Sequence, residues 1–120
     1  MRAPVQDRGP PTGRRPAVTA TFVNIISVDP ARQQELIEVL TEGTEQVIRH
    51  RPGFVSVTLL AAVDGSRVIN IAQWDGPDDA EATLADPRAQ EFAARIAELG
   101  VPEAGVYRPA GQFTAPARTR

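Results

Sequence analysis

The sequence predicts one small α+β domain with the element order β-α-β-β-α-β. Three observations carry this reading. A strand-period segment ends in an Asp-Pro helix start at Asp29-Pro30. Two β-rich runs are joined across Asp64-Gly65. A second Asp-Pro start at Asp86-Pro87 precedes a last extended stretch. At 120 residues, 42% of them apolar, the chain fits a single domain with a real core. That domain is assigned to residues 17–115, with 1–16 read as a disordered basic tail and 116–120 as a flexible C-terminal tail.

The first strand is Val18–Val28, where alternation sets Ala20, Phe22, Asn24, Ile26 and Val28 on one face and Thr19, Thr21, Val23, Ile25 and Ser27 on the other. Asp29 then supplies an N-cap and Pro30 the first helical position. Leu36, Leu40, Gly43 and Val47 repeat at helical spacing, which predicts an amphipathic helix of about five turns. Arg49-His50-Arg51 and Pro52-Gly53 end it with cations and a breaker. Strands Phe54–Val63 and Arg67–Asp75 form a hairpin, because Asp-Gly between β-rich runs is a strong turn signal. The polar run GPDDAEATLA predicts a short helical connection. Asp86-Pro87 opens a second long helix through about Leu99, with Phe92, Ile96 and Leu99 on one side. Gly100 and Pro102 stop it, and Gly105–Phe113 reads as a final strand whose Pro109 favours an edge. This order is the ferredoxin-like split βαβ arrangement, a four-stranded antiparallel sheet with helices on one face.

Composition excludes several chemistries. The sequence has no cysteine, so there is no disulfide framework, thiolate metal site or cysteine nucleophile. The one histidine, His50, sits at a helix end. All thirteen basic residues are arginine, which removes lysine Schiff-base chemistry. Residues 1–16 carry +3 and 116–120 carry +2, so the body between them is acidic at −7. An acidic body is a poor match for phosphate backbones, and no nucleic-acid partner is expected. No apolar run reaches the roughly 18 residues of a membrane span. The N-terminus is too polar for a signal-peptide core, so a cytoplasmic location without a membrane partner is expected.

Two helices cover only one face of such a sheet, and in a monomer the other face should be polar. Strict alternation gives the second strand Phe54, Ser56, Thr58 and Leu60 on one side, with Val55, Val57, Leu59 and Ala61 on the other. The third strand has Val68, Asn70, Ala72 and Trp74 against Ile69, Ile71 and Gln73. The sides bearing Val57, Leu59, Ile69 and Ile71 need cover that no element of the chain provides. A homodimer is therefore expected, with the sheets of two subunits packed together.

The helix-facing side should be plain core, yet it is expected to carry Asn24, Ser56, Thr58 and Asn70 among Phe22, Leu60 and Trp74. An amide buried without partners costs a few kcal/mol, roughly, so these groups bond to each other, to water or to a ligand. A mostly apolar cleft with a few convergent polar groups is the usual form of a small-molecule site. Two plainer readings stand beside this one: Asn24 and Asn70 bonding to each other or to backbone across neighbouring strands, and Trp74 as ordinary core. Arg88, near the start of a helix, either meets a substrate phenolate or carboxylate or pairs with Asp78, Asp79 or Asp86.

The segments TFVNIISV, RPGFVSVTLL, VINIAQW and ADPRAQEF, spread over residues 18–114, resemble the antibiotic biosynthesis monooxygenase family of dimeric α+β barrels. Within it they are most similar to cofactor-independent anthrone oxygenases of aromatic polyketide synthesis. The resemblance implies that Asn24, Asn70 and Trp74 are catalytic, and Arg88 also matches a member; with Arg88, the residues expected to bind substrate are Phe22, Ser56, Thr58, Leu60 and Phe92 from the same inner face. The resemblance also implies that no cofactor or metal is used, and that an anthrone-like polyketide reacts with molecular oxygen to give a quinone. One member carries a pocket histidine where this chain has Leu60 and a pocket tyrosine where it has Ala80, which argues against a tyrosine mechanism here. Haem degradation, known elsewhere in the superfamily, needs a histidine in the second helix, and this chain has none. The alternative from another class is a non-catalytic small-molecule-binding or dimerisation module.

Overall fold

The computed structural model of the chain describes residues 18–117. Strand β1 (Ala20–Val28) passes through Asp29 and one 3-10 turn into helix α1 (Gln33–Gln46). A second 3-10 turn (Ile48–His50) leads to β2 (Phe54–Ala61) and β3 (Arg67–Trp74). Helices α2 (Pro77–Leu84) and α3 (Pro87–Leu99) follow, and β4 (Gly100–Tyr107) ends the domain. The strands form one antiparallel sheet in the order β2-β3-β1-β4. This is the ferredoxin-like α+β fold the sequence predicts.

The Asp-Pro pair at Asp86 caps α3 as expected, whereas Asp29 caps the 3-10 turn Pro30–Arg32 and α1 follows from Gln33 without a side-chain cap of its own. The Asp29 carboxylate accepts from the Ala31 N–H at 2.8 Å, and that of Asp86 from the Arg88 N–H at 2.7 Å. The polar connection is a helix in its own right, α2, with Gly76 before it and Pro77 at its first turn. The β2–β3 turn is closed by the Gly65 N–H on the Ala62 carbonyl at 2.9 Å, and Gly65 takes a φ of +83°, where a side chain would be strained.

Two predicted features shift. The final strand was expected at Gly105–Phe113, but it runs from Gly100 to Tyr107. The chain turns extended directly at the end of α3, and β4 pairs only with β1, so Pro102 costs no ladder bond on its outer side. Pro109 lies beyond the strand. The second shift concerns β2. Its register slips between Phe54 and Ser56, so that Phe54 opposes Trp74 while Ser56 opposes Gln73. One extra residue reverses the parity of everything after it. Val57 and Leu59, expected on the uncovered face, therefore share the helix side with Ala72 and Asn70. Ser56, Thr58 and Leu60 join Gln73, Ile71 and Ile69 on the far side.

The sheet and helices meet in two buried clusters. Ile26, Val28, Leu36, Leu40 and Val68 form one, with Ile96 and Leu99 against it. Ala20, Ala72, Trp74 and Ala80 form the other, with Phe22, Ile48, Phe54 and Val57 against it. The expected tail at residues 1–16 lies outside the described residues, as do 118–120. Residues 116 and 117 are exposed and without regular structure. No described helix is long and apolar enough to cross a membrane.

Candidate active site

Between the two clusters the helix-facing side of the sheet carries an amide pair. Asn24 of β1 lies directly across the ladder from Asn70 of β3. Two residues further along β3 comes Ala72, and then Trp74, which is 2% exposed. The period-two alternation of two adjacent strands is what aligns these side chains on one face. Above them α1, α2 and α3 enclose a chamber of about 100 Å3 whose lining includes Phe22, Asn24, Asn70, Thr83 and Phe92. A deeper extension of about 50 Å3 reaches Trp74 and Ala80.

Three buried polar atoms in this space have no hydrogen-bond partner among the described residues: Asn24 Oδ1, Asn70 Oδ1 and Trp74 Nε1. The other polar side chains of the lining are satisfied. Thr44 donates to the Leu40 carbonyl at 2.8 Å and Thr83 to the Asp79 carbonyl at 2.9 Å. Arg51 donates to the Thr83 hydroxyl from the outside while pairing with Asp86 at 3.0 Å, which ties α2 to the start of α3. The unpaired set is therefore selective. It also excludes a mutual Asn24–Asn70 bond through either carbonyl. Each buried orphan costs roughly 1–3 kcal/mol, a cost that a ligand with matching groups removes. An asparagine amide turned about its last torsion presents N–H groups where its oxygen was, so the pair can meet a hydroxyl or a developing oxyanion.

No Asp, Glu, His, Arg or Tyr side chain among the described residues lines either space. Among the described residues no three of His, Cys, Asp and Glu converge in a way that would hold a metal ion. Charges stay at the rim. A larger open groove of about 430 Å3 runs between α1 and β2, with Glu45, Arg49 and Ser56 in its walls, but none of the unpaired atoms faces it.

The structure thus brings together Phe22, Asn24, Asn70, Trp74 and Phe92 of the residues expected at the site. Ser56, Thr58 and Leu60 are corrections: the β2 slip puts them on the opposite face, where the Ser56 hydroxyl donates to Gln73 Oε1 at 3.1 Å. Arg88 is another. Its guanidinium donates to the Gln46 carbonyl at 3.1 Å, closing the C-terminal end of α1 outside the chamber. It does not pair with Asp78 or Asp79. His50 is exposed and lies 2.9 Å from the Glu45 carbonyl, as a helix-end histidine should. Thr83 and Leu84 were missed because the sequence shows α2 only as a polar connection. Their spacing from Ala80 would have marked one helical face.

Residues 19–99 match the family model for antibiotic biosynthesis monooxygenase. The chain belongs to the antibiotic biosynthesis monooxygenase family. A relative in Streptomyces glaucescens, tetracenomycin-F1 monooxygenase, is 49% identical over 70 residues, 58% of this chain and 62% of that protein. The matched stretch therefore spans less than two thirds of that relative's length. Among solved structures, a monooxygenase from the gene ActVA-Orf6 of Streptomyces coelicolor, in complex with nanaomycin D, is 35% identical. It superposes with a TM-score of 0.74 over 82% of this chain and 94% of its own. A variant of SnoaB, a cofactor-independent oxygenase from Streptomyces nogalater, is 30% identical, with a TM-score of 0.69 over 84% of this chain and all of its own. Antibiotic biosynthesis monooxygenase family membership gives the fold a lineage; the roles of individual side chains still have to come from the chamber.

Proposed function

We propose that this chain is a monooxygenase of aromatic polyketide tailoring that uses no cofactor and converts an anthrone-like substrate to its quinone with molecular oxygen. The observation that carries the proposal is the set of three unpaired polar atoms in an otherwise apolar, uncharged chamber. The relatives support it: one acts as a tetracenomycin-F1 monooxygenase, and SnoaB is a cofactor-independent oxygenase.

The chemistry fits that environment. An anthrone holds acidic benzylic hydrogens opposite a ring ketone. Removing one proton spreads charge onto the ketone oxygen, where the Asn24 and Asn70 amides donate N–H bonds, as in an oxyanion hole. The carbanion gives one electron to dioxygen, and the resulting substrate radical and superoxide combine through a new C–O bond. Loss of the second benzylic hydrogen with cleavage of the O–O bond releases water and leaves the carbonyl. One anthrone and one dioxygen thus give one quinone and one water. Among the described residues no side chain of the lining is a base, so the first proton leaves to water or to a phenolate of the substrate. The Trp74 indole N–H, the third unpaired group, bonds a substrate oxygen at the deep end.

Metal-stripped protein incubated with an anthrone under oxygen should speed quinone formation well above buffer. No acceleration across several anthrones would overturn the proposal.

The far face of the sheet supports a homodimer. Val23, Ile25, Ile69 and Ile71 lie there only half-buried, and Leu60 is 47% exposed. A second copy covers this apolar patch most economically. Sedimentation should give twice the 12.9 kDa chain mass; a monomer at micromolar concentration would contradict it.

A further inference from the structure

Beside the chamber, on the far side of Asn24, lies a slot of about 260 Å3 between α3 and β4, lined in part by Phe22, Leu84, Ile96, Pro102, Ala104 and Val106. Since β4 is the last strand on that side of the sheet, the slot meets solvent along its edge. Ala104 lies directly across the ladder from Asn24, and Pro102 from Ile26. The helix-facing positions of β4 are thus Gly100, Pro102, Ala104 and Val106 in turn. Three of the four are small or compact where a sheet–helix core normally carries Leu or Ile. Their shortness keeps the slot open. Among the described residues its walls hold no charged side chain, and Asn24, at the inner end, is the one polar side chain.

The inner chamber and its extension, about 100 and 50 Å3, are of the size that takes one six-membered ring; an apolar cavity of about 150 Å3 holds benzene. A fused polycycle with its reacting ring at the amides must put its remaining rings somewhere, and the slot adjoins the site across the shared walls Phe22, Asn24, Leu84 and Ile96. We propose that the slot holds the distal rings of a fused, planar aromatic substrate and that Ala104 sets its width, which makes position 104 specificity-determining. The proposal rests on the oxygenase reading for which ring reacts, although ring binding itself can be read without turnover.

Trp74 is the only tryptophan of the sequence and lies at the deep end of the site, so its fluorescence reports occupancy. Wild type, Ala104→Val and Ala104→Phe are titrated with a tricyclic hydroxyanthraquinone and with a monocyclic hydroxybenzoquinone. Ala104→Phe should raise the Kd for the tricyclic ligand at least tenfold and leave the monocyclic one within twofold. Ala104→Val should fall between, and serves alone if the phenylalanine variant does not fold. Equal loss of both ligands, or loss of neither, overturns the slot. Wild type that oxidises anthrones while the variants bind normally defeats the slot alone. Size-selective binding without any anthrone oxidation defeats the oxygenase reading and leaves the slot standing.

Discussion

At one end of the sheet–helix interface Ile26, Leu36 and Val68 are wholly buried in an apolar cluster with Val28 and Leu40. At the other end the same two strands carry Asn24, Asn70 and Trp74 around a hollow, with three polar atoms unpaired. The boundary falls within two residues on each strand: Ile26 to Asn24 on β1, and Val68 to Asn70 on β3. The β1–β3 register runs unbroken across it, so on these two strands the difference lies in the side chains. The closed end stabilises the fold, whereas the open end gives up stability for unpaired groups and empty volume.

Substitutions at the two ends should therefore separate stability from activity. The largest stability loss is expected at the closed end: Leu36→Ala leaves a cavity worth roughly 2–5 kcal/mol, visible as a lower urea midpoint, while the turnover of the folded fraction stays near wild type. At the open end Asn70→Ala should reverse the pattern. Turnover should fall by about a hundredfold or more, the loss typical of one oxyanion donor. The urea midpoint should hold or rise, because an unpaired buried amide is gone. If Asn70→Ala unfolds the protein and spares the activity of what remains folded, the amide belongs to the core.

A smaller effect is expected where the two ends share a wall. A Cβ on Gly43 of α1 would stand 3.0 Å from Cγ of Phe92. Gly43→Ala gains up to about 1 kcal/mol of helix propensity, which offsets much of the crowding. Stability should change little, but the Phe92 ring must shift toward the chamber, and KM should rise several-fold. An unchanged KM would show that the ring moves elsewhere.

The smallest effect lies outside both ends, at the β2–β3 turn. The hydroxyl and N–H of Ser66 bond the Asp64 carboxylate and hold its pKa below the ordinary 3.8. A depressed carboxylate stabilises the fold above its unfolded pKa, and that contribution fades as pH falls through the folded value. Asp64→Asn should therefore narrow the stability difference between pH 6 and pH 3 only slightly, since this carboxylate is fully exposed. A large narrowing would mean the turn organises the hairpin more than its exposure suggests.

Much of this contrast was legible in the sequence. Asp29-Pro30 and Asp86-Pro87 announced both helices, because cap and proline act locally. Asn24, Asn70 and Trp74 stood out as polar or bulky groups on strand faces that should be plain. What escaped depends on longer-range register. Ser56, Thr58 and Leu60 were misplaced because a bulge leaves no composition signal in FVSVTLL. Gly100–Tyr107 has poor strand propensity and forms only because β1 offers an open edge. Neither a substrate contact nor a carboxylate pairing describes Arg88, because its partner, the Gln46 carbonyl, lies 42 residues away at the end of α1.

The most direct test replaces both amides at once with apolar side chains of similar size, Asn24→Leu with Asn70→Leu, and measures urea unfolding of the double variant against wild type. If the open end is a site held at the expense of stability, the double variant should unfold at higher urea and lose quinone formation. A variant that unfolds at lower urea while still forming quinone would contradict that account.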